Sequence, residues 1–93
     1  MQKATARHIL VKQNKLASKI KKEILNNTLT FEKAAKKYSR CSSKKSNGNL
    51  GTFSQGEMVK EFDEIVFKES LNTLHGPVKT QFGFHLIEIT SRY

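Results

Sequence analysis

Ile9, Leu10 and Val11 stand side by side with no polar residue between them, and this run constrains the fold more than any other feature. A strand with one wet face alternates apolar and polar residues, whereas one that is apolar at each position is covered on both faces. Residues 6–12 are therefore predicted to form a buried strand in a small sheet covered by helices. A helix is expected over 15–26, with Asn14 as its N-cap and Leu16, Ile20 and Ile24 as its buried stripe beside Ala17. The Asn26-Asn27-Thr28-Leu29 break ends it. Thr30 is placed to cap a second helix that turns Phe31, Ala34, Ala35 and Tyr38 toward the core.

Downstream the punctuation is as clear. Residues 40–49 read as a loop of Ser, Lys, Asn and Gly, and 50–54 as a short strand. Gln55-Gly56 turns the chain into a third helix over 59–68, with Phe62, Ile65 and Val66 on one face and Met58 at its entrance. Residues 71–76 show too little pattern to place. Pro77 has no donor for a central ladder, so it belongs at a strand edge or strand start. Phe82-Gly83 is read as a turn into a last strand over 84–90, with His85, Ile87 and Ile89 on one face and Phe84, Leu86 and Glu88 on the other. The resulting order is strand, helix, helix, strand, helix, strand, strand: an α+β layout.

Ninety-three residues support one core and not two, so residues 1–93 are expected to be a single domain. A hydrophobic content of 37% with 27% charged residues fits a globular chain. No apolar run is long enough to span a bilayer, and residues 1–5 lack a signal-peptide core. A cytoplasmic monomer is the expectation, although an excised domain of a larger exported protein would read the same. The single cysteine excludes an internal disulfide. The net charge of +9 is uneven, with +11 over residues 1–45 and −2 over residues 46–93. Solvated helix faces account for it, and so would weak attraction to nucleic acid or acidic surfaces. Aromatic residues are not interleaved with the basic ones, which argues against a base-stacking platform.

The residues able to do chemistry fall in three separated blocks. These are His8-Ile9-Leu10-Val11, then Ser39 to Phe62 with Cys41 and Gly48-Asn49-Leu50-Gly51-Thr52-Phe53, then Gly76-Pro77-Val78-Lys79-Thr80-Gln81-Phe82-Gly83-Phe84-His85. They set a thiol, two imidazoles and a hydroxyl among apolar side chains. No spacing of metal ligands and no phosphate loop is visible, so the blocks suggest a small apolar binding cup. Together, and in this order, they closely resemble the parvulin family of peptidyl-prolyl cis-trans isomerases over essentially the whole chain.

That resemblance implies a parvulin-like (FKBP-like) fold, a four-stranded antiparallel sheet surrounded by helices. It also implies an enzyme that rotates X-Pro bonds in polypeptides and so assists folding. Leu50, Met58, Phe62 and Phe82 would form the substrate pocket, with the proline ring against Met58 and Phe62. His8, Cys41, Thr80 and His85 would form a polar cluster beside it. The histidines either shape the electrostatics around the rotating bond or act as buried scaffold, each locking the other's tautomer. No cofactor is required, because the twisted amide is less polar than the planar one and an apolar cup favours it. For the same reason Cys41 is not expected to be a nucleophile, and Cys41→Ala is expected to orphan a histidine or threonine. His75 reads as a surface residue.

Residues 12–15 form a connection too short for the basic phosphate clamp of Pin-type relatives, so phosphate-independent activity is expected. The chain departs from the family pattern at Asn47-Gly48-Asn49-Leu50-Gly51, usually Gly-Gly-Asp-Leu-Gly. It departs again at Glu57-Met58-Val59-Lys60-Glu61-Phe62, usually Gln-Met-Val-Pro-x-Phe. Two other classes fit the sequence less well: a peptide-binding chaperone module with little turnover, and a basic parvulin associated with nucleic acid.

Overall fold

The computed structural model describes residues 2–93. Strand β1 (Lys3–Val11) leads into helices α1 (Asn14–Leu25) and α2 (Phe31–Tyr38). After a 3₁₀ turn over Ser42–Ser46 come β2 (Asn49–Ser54), α3 (Lys60–Lys68), β3 (Leu74–Thr80) and β4 (Gly83–Arg92). The four strands form one antiparallel sheet in the order β2-β1-β4-β3. This is the α+β, four-stranded arrangement expected from the sequence.

The sheet is buried on both faces by two apolar clusters. On one face Ile9, Val11 and Leu86 pack against Ala17 and Ile20 of α1 and Phe31, Ala34 and Ala35 of α2. On the other, Ala4, Ala6, Ile87 and Ile89 pack against Phe62, Val66 and Phe67 of α3 and Phe53 of β2. Strands β1 and β4 contribute to both clusters, which explains the unbroken apolar run at 9–11. Side chains alternate along each strand, so Ile9 and Val11 enter the first cluster while the half-buried Leu10 turns to the other face.

Several local expectations are corrected. Gln13, not Asn14, is the N-cap of α1, and its side chain makes no cap hydrogen bond. Thr30 does cap α2, its hydroxyl accepting from the Lys33 N–H at 3.2 Å. The loop after α2 contains a 3₁₀ turn that Ser, Lys and Asn composition did not reveal. Strand β3 begins inside the stretch left without a pattern, because Leu74 is held in the first cluster and pairs with Glu88. Pro77 lies within β3, which is an edge strand, and the β3–β4 register shifts between His75 and Val78 to accommodate it. Gly76 is obligatory at that shift: its φ is +115°, and a Cβ there would stand 2.4 Å from the His85 carbonyl oxygen. Helix α3 starts at Lys60 and ends where Arg92 donates to the carbonyls of Val66 and Glu69, at 2.9 and 2.8 Å.

Candidate active site

The register of the central pair assembles the site. Leu10 faces His85 and His8 faces Ile87 across β1 and β4, so the two histidines are diagonal neighbours on the α3 face of the sheet. Their rings stack with centroids 5.2 Å apart, and the two Nδ1 atoms lie 3.0 Å from each other. Phe62 of α3 stands edge-on to both, at 5.5 Å from His8 and 5.4 Å from His85.

The hydrogen bonds run in a chain from His8 through His85 to Thr80. Thr80 Oγ1 lies 2.7 Å from His85 Nε2 and accepts from the Phe82 N–H at 3.1 Å. One assignment consistent with these distances completes the chain. The Thr80 hydroxyl donates to His85 Nε2, His85 Nδ1–H donates to His8 Nδ1, and His8 carries its own proton on Nε2. His8 Nε2 is buried and has no hydrogen-bond partner among the described residues. Both imidazoles are held neutral. Burial, and then the neighbouring His85, bring His8 down to about 4, and burial lowers His85 as well.

Beside this pair lies a cleft of about 280 Å³ with almost wholly apolar walls. Leu50 of β2, Met58 and Phe62 line it, as do Phe82 at the β3–β4 turn, Cys41, and the two histidines. All four residues expected to bind substrate are thus brought together. Phe82 is 48% exposed and stands at the rim, while Phe62 is 3% exposed and belongs to the core as much as to the cleft. Glu57, exposed beside Met58 in the chain, accepts from the Ser54 N–H at 2.6 Å.

The polar set divides. Thr80 is buried behind His85 and does not line the cleft. Cys41 does line it, half-buried, but its thiol is outside the hydrogen-bond chain. The expectation that Cys41→Ala would leave a histidine or Thr80 unpartnered is therefore corrected, since none of those groups bonds to the thiol. His75 is half-buried in β3, its Nε2 2.8 Å from the Ser70 carbonyl oxygen, and is outside the cleft. Among the described residues no cluster of three His, Cys, Asp or Glu side chains is arranged to hold a metal ion.

Sequence reasoning missed three contributors. Leu10 and Val59 complete the cleft wall. Ser39 is buried, and its Oγ accepts from the Leu10 N–H at 3.1 Å and the Cys41 N–H at 3.4 Å. With the Arg40 N–H donating to the Leu10 carbonyl at 2.8 Å, this lays residues 39–41 against β1 and fixes Cys41 on the wall. A serine just after a helix in a Ser-rich stretch carries no signal for that role. Gly48 packs against the backbone of His8. Its carbonyl accepts from the His8 N–H at 2.9 Å, its φ is +86°, and a Cβ there would meet the His8 carbonyl oxygen at 2.6 Å.

Among the described residues no helix is long and apolar enough to cross a membrane. Similar proteins point one way. The chain is 45% identical over 86 residues to foldase protein PrsA 1 of Bacillus cereus, covering 91% of this chain and 30% of that protein. It spans about a third of the length of the curated relatives it matches. The crystal structure of the peptidylprolyl isomerase PrsA from Bacillus anthracis superposes with a TM-score of 0.92 at 34% identity, over 99% of this chain and 42% of that one. The solution structure of NmPin, the parvulin of Nitrosopumilus maritimus, matches 98% of both chains with a TM-score of 0.84 at 37% identity. The profile of the rotamase family, described as PPIC-type PPIASE domain, covers residues 3–91. With the stacked histidines, the apolar cleft and the sheet order all in place, this chain belongs to the PpiC-type peptidyl-prolyl isomerase family, the parvulins.

Proposed function

We propose that this domain accelerates cis-trans exchange of X-Pro bonds in polypeptides and assists their folding, by non-covalent stabilisation of the twisted amide. The observation that carries this is the apolar cleft set directly against two neutral histidines. Met58, just before α3, and Phe62, in its first turn, hold the proline ring, with Leu50 and Phe82 on either side. As the bond twists, the carbonyl loses negative charge and the prolyl nitrogen recovers its lone pair. That less polar state is favoured by a cleft that excludes water and places no charged group against it. NMR exchange spectroscopy on an Ala-Pro peptide tests the activity, and an unchanged exchange rate at high enzyme concentration rejects it.

The domain works as one unit and as a monomer, because one chain supplies the whole cleft wall and β1 and β4 serve both core clusters. The lone thiol suits a reducing cytoplasm, so a cytoplasmic site is kept for a free-standing chain. Detection of the protein in an exported fraction would reject it.

Cys41 acts here as a wall residue. Rotation requires no bond to carbon, so Cys41→Asp is expected to retain substantial activity. Alkylation of Cys41 should inhibit by filling the cleft. Cys41→Ala changes the wall and its local field, and the histidine ring signals should then report an intact His8–His85 pair. A substrate-derived adduct seen by mass spectrometry would overturn this non-covalent role.

Recognition is independent of phosphate immediately before proline. Only Lys12 and Gln13 separate β1 from α1, and the Lys12 ammonium donates to the Phe82 carbonyl at 3.0 Å. Paired pSer-Pro and Ser-Pro peptides should therefore show kcat/KM values within about threefold at physiological ionic strength, where exposed pairs are worth little. A tenfold or larger preference that persists in added salt would contradict this.

A further inference from the structure

Cys41 lines the cleft, and its chain neighbour Arg40 turns outward to the surface. Arg40 lines a concavity with Val11, Lys12, Leu16 and Tyr38. A second concavity shares Tyr38 and Arg40 with the first and adds Lys37, Ser39 and Lys44. Lys37, Arg40 and Lys44 thus stand within four residues of the cleft wall at Cys41. All three cations are exposed, and among the described residues none of them pairs with a carboxylate. The acids of this half of the chain are Glu23 and Glu32, and Glu32 is engaged with Arg7 at 3.4 Å.

We infer that Lys37, Arg40 and Lys44 form a subsite for acidic residues of the same polypeptide whose X-Pro bond occupies the cleft; this rests on the isomerase reading above. An enzyme for unfolded chains binds an extended segment, which advances about 3.3–3.6 Å per residue. Arg40 is one residue from Cys41, and Lys44 is one 3₁₀ turn beyond it, at about 2 Å of rise per residue. The subsite therefore reads side chains about two to four residues from the proline. It is distinct from the position immediately before the proline. Lysine-rich, unpaired and solvent-exposed, the group acts as a field of point charges and selects acidic character rather than a motif. Nucleic acid is the poorer fit, because Tyr38 is the only aromatic side chain lining these two concavities and the Lys37 ammonium sits over its ring at 5.1 Å.

The test uses the whole chain and four proline peptides. One is neutral. One carries three Glu two to four residues before Ala-Pro, another carries them after it, and the last carries Lys on the side that responds. At low salt the Glu peptide on one side should show a kcat/KM about five- to tenfold above the neutral peptide, shrinking below twofold in 0.5 M salt. K37E/R40E/K44E should abolish that gain and leave the neutral peptide unchanged. Equal rates for acidic and neutral peptides, or a gain that survives charge reversal, would overturn the subsite. If the neutral peptide itself is not turned over, the isomerase reading fails instead. The subsite is then read by NMR, where shifts of Lys37, Arg40 and Lys44 on adding the Glu peptide uphold it and their absence rejects it. Salt-sensitive binding of duplex DNA to the same residues, with no response to the Glu peptides, would reassign the surface to nucleic acid.

Discussion

Met58→Ala is expected to lower kcat/KM for an Ala-Pro peptide by about ten- to fiftyfold while the domain stays folded. The change strips roughly three heavy atoms from the proline pocket, each worth about 0.8 kcal/mol when buried against an apolar ligand, and 1.4 kcal/mol is a factor of ten. Met58 is half-buried at the margin of the second core cluster, so the stability cost should be about 1–2 kcal/mol, below that of a fully buried site. Phe62→Ala should abolish activity too, but by a mixed route. Phe62 touches both histidines and Phe53 and is 3% exposed, so its truncation should also cost about 3–5 kcal/mol. Phe62→Leu, which keeps most of the volume, separates the two losses. Exchange rates paired with urea titrations check the series. Undiminished turnover in a folded Met58→Ala variant would place the proline pocket elsewhere.

Stability should fall as the pH drops from 6.5 toward 4. His8 is brought down to about 4 in the fold, chiefly by burial, from an ordinary value of 6.5. Above 6.5 both folded and unfolded chains carry it neutral, and its contribution is fully present. Below 6.5 the unfolded chain takes up a proton that the fold refuses, and stability is lost until the folded histidine also titrates near 4. The shift corresponds to a loss on the order of 3 kcal/mol, and His85, lowered by burial as well, adds in the same direction. His85 and Phe62 flank the ring and Thr80 bonds the far side of His85, and none of these partners is a carboxylate that would favour the imidazolium. Urea midpoints at pH 7, 5.5 and 4.5 measure the effect, with His8→Gln expected to flatten the slope. A midpoint unchanged between pH 7 and 5 would mean that the pair accepts a proton without cost.

Much of this was legible along the chain because its signals are local. The run at 9–11, the Thr30 cap and the alternation at 84–90 each arise from repulsions and pairings within a few residues, and the structure places a strand, a helix start and a strand there. Met58 and Phe62 do share the cleft, but Met58 lies before α3, so helical spacing is not what brings them together. Strand β3 was not legible over 74–76, because Leu74-His75-Gly76 has no alternation of its own. It is a strand because β4 offers it hydrogen bonds and the first cluster buries Leu74.

The same division runs through the site. By itself, the sequence determined the covered sheet, the helix faces and the uneven charge, all of which follow from side-chain polarity and period. Tertiary structure alone decided that His8 pairs with His85 and not with Cys41, and that Ser39 anchors the cleft wall. It also set Thr80 behind the histidines and left Lys37, Arg40 and Lys44 exposed near the cleft wall at Cys41. Those outcomes depend on strand register, where a slip of one residue turns each side chain to the opposite face. Register here is held by long-range pairings, Leu10 with His85 and the His8 N–H with the Gly48 carbonyl, whose partners are distant in the chain.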